Sequence, residues 1–165
     1  MSTTTQARHS ITTLDGQPCP DVAPIAAMNW LTQMLASLPA SEFNQFSVRV
    51  NGEVWSRGTI LQNLLCARRN DTLRRHFIGG HVVMTEGFRA LPNRDEFLQR
   101  ITAFEAFEPG DDPYLDRSFG CVEIGGQKAF WKIDYYDKDC HYASEEPWNP
   151  EKTTRVLTLM LAEEY

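Results

Sequence analysis

No stretch of this chain approaches the roughly 18 consecutive apolar residues that a helix needs to cross a bilayer, so a membrane-spanning helix is not expected. The opening Met-Ser-Thr-Thr-Thr-Gln-Ala-Arg (1–8) has no apolar run of the secretory kind, and we expect a cytoplasmic protein. Cysteine is sparse. Cys19, Cys66, Cys121 and Cys140 stand far apart with no C-x-x-C spacing, which argues against a zinc ribbon or a dithiol centre and for reduced thiols. The four histidines include no pair at the i, i+4 spacing that places two ligands on one helical face. Cys140 and His141 are neighbours, but adjacent residues on an extended chain face opposite ways, a poor geometry for nucleophile and base. No glycine loop of the phosphate-cradling type is present either. These absences predict no metal and no cofactor, and they leave any catalytic residue unknown.

The composition is that of a globular chain. Of 165 residues, 42% are hydrophobic and 23% charged, and nine Phe, five Tyr and four Trp supply enough bulk for a core that folds without staples. Charge is unevenly spread. Residues 102–151 hold twelve acids against four bases, while the whole chain carries only −6, so the remainder is mildly basic. An acidic half disfavours nucleic acid as a partner for that face.

Local patterning predicts an α+β fold. Residues 1–24 are polar or proline-rich and read as a loose tail. Ile25, Met28, Leu31, Met34, Leu35 and Leu38 recur at helical steps and stop at Pro39. Asn51-Gly52, between two short β-prone runs, predicts a two-residue hairpin turn. Thr59 can cap a helix through Cys66, and Asn70-Asp71 can cap a second through Phe77. Residues 25–66 thus form an accessory helix, hairpin and helix. From 67 to 165 we expect an antiparallel sheet with strands near 81–85, 118–124, 127–135 and 155–161, covered by a helix at 93–107. The last segment mixes Val and Thr with Leu, Met and Ala and could be strand or helix; strand is our choice.

Three groups could carry function. Trp131, Tyr135, Tyr136, Tyr142 and Trp148, with Asp134, Asp137 and Arg155, gather aromatic and acidic surface of the kind that anchors a protein partner. Glu123, Asp134 and Asp137 could bind a divalent cation in a small hydrolase or nuclease, although residues three apart on a strand face opposite sides. Arg68, Arg69, Arg74 and Arg75 could contact DNA, but they do not share one helical face and are read more economically as helix-end cations paired with Asp71.

The run Trp-Lys-Ile-Asp-Tyr-Tyr-Asp (131–137), the ending Arg-Val-Leu-Thr-Leu-Met-Leu-Ala-Glu-Glu-Tyr (155–165), Asn70-Asp71 and Asp112-Pro113-Tyr114 together resemble a proteobacterial domain-of-unknown-function family that is often carried on plasmids and other mobile elements. The resemblance covers 67–165 and implies no reaction. It implies a setting: host defence, or plasmid or phage maintenance. Where the family pattern tends to read Glu-His-Asp-Phe-Gly, this chain has Asp116-Arg117-Ser118-Phe119-Gly120 and so lacks the His and the second acid. We therefore expect a non-enzymatic protein-interaction module working through the acidic and aromatic surface, with the metal-dependent enzyme and the DNA-binding factor as alternatives.

Overall fold

In the computed structural model, residues 10–14, 24–42 and 45–165 are described. Most of the tail expected over 1–24 lies outside them, together with His9 and Cys19. The chain forms two compact units, 1–64 with 106–115, and 65–105 with 116–165.

The first unit contains β1 (Ile11–Thr12), α1 (Pro24–Ser37), a short 3-10 turn (Ala40–Glu42), β2 (Ser47–Val50) and β3 (Glu53–Ser56), with the strands in the order β1-β2-β3. Asn51 and Gly52 make the predicted turn with φ of 50° and 90°, the left-handed pair that matches strand twist. Asn51 also ties the unit together. Its N–H donates to the Ser10 carbonyl at 2.8 Å, and its side-chain amide donates to the Pro113 carbonyl at 3.1 Å. Alternation along β2 sends Val48 and Val50 inward, where they join Ile11, Leu31, Trp55, Ile60, Leu64 and Leu115.

One helix, α2 (Arg57–His76), replaces the two expected. Neither glycine nor proline interrupts it after Gly58, and its Leu and Arg are good helix formers. Ser56 begins it three residues before the expected cap: its Oγ accepts the Thr59 N–H at 3.2 Å. Asn70 is no cap but a fully buried mid-helix residue.

The second unit adds β4 (His81–Met84), α3 (Glu86–Ala90), α4 (Arg94–Ala103), β5 (Phe119–Ile124), β6 (Gln127–Tyr136) and β7 (Thr154–Leu161). The α+β class is as expected, with two differences. The sheet order is β4-β7-β6-β5, and β4 runs parallel to β7, so the sheet is mixed rather than antiparallel. The α3 turn was not foreseen, and the long helix ends at Ala103 rather than 107. The final segment is a strand. It pairs with β4 and β6, and its Arg155, Leu157 and Leu159 are buried in alternation, as two-residue periodicity demands. No helix among the described residues is long and apolar enough to cross a membrane.

Candidate functional site

Strand β6 sorts its side chains by parity. Ala129, Trp131 and Ile133 point into the core, while Phe130, Lys132 and Asp134 lie on the other face. Trp131 is fully buried, which corrects its expected place on a binding surface. Its indole crosses Gly120, its register partner on β5; a Cβ there would sit 2.1 Å from the ring. Phe104 meets the same indole edge-on at a centroid distance of 4.7 Å, and the Arg74 guanidinium lies 5.6 Å from its centre.

Beside this core lies a polar network. Asn70 on α2 donates its amide to the Tyr135 hydroxyl at 2.6 Å and to the Asp116 carbonyl at 2.7 Å. The Tyr135 hydroxyl in turn donates to Asp116 Oδ2 at 2.8 Å. Arg155, opposite Tyr135 on β7, donates Nε to Asn70 Oδ1 at 3.1 Å and a terminal nitrogen to the Pro147 carbonyl, with its guanidinium 5.4 Å from the Tyr135 ring centre. Arg155 is 2% exposed, so it too leaves the expected surface. The reason is local: buried amides and hydroxyls must find partners, and Arg155 Nε completes the set that Asn70, Tyr135 and Asp116 form. Burial raises the Tyr135 phenol and lowers the Arg155 guanidinium from their ordinary values, and it pushes the Cys66 thiol up to about 11. Cys66 is therefore a protonated, unreactive thiol at neutral pH.

The arginines of 68–75 do not form one basic face. Asp71 accepts from Arg74 at 2.9 Å and from Arg117, while Arg75 pairs with Glu105. Arg74 is fully buried, with desolvation lowering its proton affinity, and Arg68 is exposed.

The expected carboxylate trio also separates. Glu123 faces Lys128 across the β5–β6 pair, six positions along β6 from Asp134, which is about 20 Å of strand. Asp134 pairs with Lys132 at 2.9 Å, and Asp137 Oδ1 accepts the His141 N–H at 2.9 Å. Among the described residues, no group of three or more His, Cys, Asp or Glu side chains is placed to hold a metal ion.

What remains at the surface is the loop 137–150. Asp137 N–H donates to the Tyr142 carbonyl at 2.8 Å, Ser144 N–H to the Tyr135 carbonyl at 3.0 Å, and a bridge joins Tyr136 to Ala143. Cys140 adopts a φ of 57° at the tip, and Tyr142 stands 76% exposed. Glu146 accepts from Asn149 at 2.9 Å and from Lys152, which holds its carboxyl below the ordinary range. Tyr136, Asp137 and Trp148 are half-buried at the loop's base. Sequence reasoning missed Asn70, Tyr135 and Asp116 as network members. Asn70 lies in α2, Tyr135 in β6 and Asp116 in the loop before β5, and no spacing in the chain links them.

The class these elements define is an α+β domain with a mixed four-stranded sheet and a buried polar network. Residues 84–164 match the model of the family described as Protein of unknown function (DUF3768). No curated protein and no solved structure matches the chain.

Proposed function

We propose that this is a non-enzymatic, cytoplasmic protein-interaction module that engages a protein partner through the loop 137–150, with Tyr142 as the anchor. The observation that carries this reading is a 76% exposed tyrosine on a loop closed by backbone hydrogen bonds. A large ring held in place before binding loses little entropy on docking, and aromatic anchors dominate the energetics of many interfaces. Exposed Asp139 and Glu145 on the same loop favour a partner with a basic rim. The resemblance to a family carried on mobile elements supports a partner in host defence or in plasmid or phage maintenance.

The test is co-purification from host lysate by the intact protein, compared with Tyr142→Ala and Tyr165→Ala. Tyr165 is 71% exposed but lies outside the loop, so it controls for generic aromatic stickiness. A partner retained by Tyr165→Ala and lost by Tyr142→Ala, by about tenfold or more, is the expected result. Equal recovery by all three proteins would refute the loop as the docking site.

A further inference from the structure

The second unit contains a cavity of about 440 Å³, within the range of small-ligand sites. Its lining includes Arg69, His81, Lys138 and Arg155, and no acid. That is unusual in a chain of net charge −6 whose residues 102–151 are strongly acidic.

Each arginine is incompletely answered. Arg155 is almost fully buried, yet its partners are the Asn70 amide, the Pro147 carbonyl and the Cys66 thiol, and no described carboxylate lies within ion-pair distance. Arg69 Nε is buried without a hydrogen-bond partner among the described residues. Buried cations are normally paired, because desolvation removes the water that would stabilise them. Here the two guanidinium groups also repel each other, a secondary cause of the lowered Arg155 proton affinity after burial itself. Lys138 lies at the exposed side and donates Nζ to the Pro150 carbonyl at 3.0 Å, leaving further N–H donors for a ligand. Ile78 and Pro150 add apolar wall.

We propose that this cavity binds a small organic phosphate, with the phosphoryl group held by Arg69 and Arg155 and the organic part along Ile78 and Pro150. Two guanidinium forks and an ammonium supply more donors than one carboxylate can accept, and a phosphoryl group carries both the charge and the three oxygens to use them. The inference is independent of the Tyr142 docking reading.

Calorimetric titration of the full chain in low-salt buffer tests it, with ribose 5-phosphate as probe, ribose as the uncharged control and citrate as the carboxylate control. Saturable binding of ribose 5-phosphate, absent for ribose and weaker for citrate, is expected. Arg69→Gln and Lys138→Gln should each weaken binding by about tenfold or more, the worth of one charge-assisted hydrogen bond. Arg68→Gln, which changes an exposed neighbour outside the cavity, should leave it unchanged. Because Arg69 is only half-buried and Lys138 is exposed, these variants are expected to fold, with circular dichroism as the check. No saturable binding of ribose 5-phosphate, equal binding of citrate, equal loss in Arg68→Gln, or no loss in Arg69→Gln would each overturn the proposal. Tighter binding of a single-stranded oligonucleotide than of ribose 5-phosphate would also overturn it, by making the basic groups part of a strand-binding surface.

Discussion

The first unit closes on Ile11, Leu31, Val48, Val50, Trp55 and Ile60, whereas the second buries Asn70, Arg74, Arg117 and Arg155 among its leucines and aromatics. In the first, Asp112 is the one charged residue buried among those described. The difference is one of tolerance. An apolar core accepts changes that conserve volume, because dispersion and the hydrophobic effect are non-directional. A polar core is directional. Removing one member leaves donors and acceptors buried without partners, and each of those is expensive.

Asn70→Leu should be the most damaging change, since it strips partners from Arg155 Nε, the Tyr135 hydroxyl and the Asp116 carbonyl together. A loss of about 3–5 kcal/mol is expected from urea denaturation, against less than about 1.5 kcal/mol for Leu31→Met in the apolar core. Comparable values for the two would erase the contrast. Gly120→Ala comes next, at about 2–3 kcal/mol, because its Cβ would meet a fully buried indole that has no room to move. A shift in melting temperature of only a fraction of a degree would mean that Trp131 repacks freely.

The smallest effect is alkaline. In the folded protein the Cys66 thiol is raised from 9.0 to about 11, so the native state holds its proton where the unfolded chain releases it. Its contribution is therefore whole below pH 9 and is lost as pH rises toward about 11. Near pH 10, about 1 kcal/mol should have gone. Cys66→Ala should flatten that decline; an unchanged alkaline limb would show that the thiol does not govern it.

Much of the fold could be read from short-range pattern. Asn51-Gly52 and Gly125-Gly126 mark hairpin turns, and both adopt the positive φ that such turns need. The alternation of Lys128, Phe130, Lys132 and Asp134 against Ala129, Trp131 and Ile133 separates the two faces of β6. It does not say which face is covered. That is why Trp131 was expected at the surface, although its parity already grouped it with Ala129 and Ile133. Asn70-Asp71 misled for a similar reason. The pair carries a capping signal, but Asn70 spends its amide on Asp116 and Tyr135, 46 and 65 residues away.

The candidate site was less legible. Tyr142 remained exposed, while Trp131 and Arg155 turned inward and Glu123 separated from Asp134. The cationic cavity draws Arg69 from a helix, His81 from the edge strand, Arg155 from a central strand and Lys138 from a loop, and no spacing in the chain links those four.

By itself the sequence determined the turns, the parity of the strands and the acidic bias of its second half, because each depends on neighbours within a few residues; it left the final segment open between strand and helix, and pairing with β4 and β6 made it a strand. Only the tertiary structure decided the parallel pairing of β4 with β7, the burial of Trp131 and Arg155, and the meeting of four basic side chains around one cavity. Those depend on which surfaces are removed from water together, a property of contacts between residues far apart in the chain.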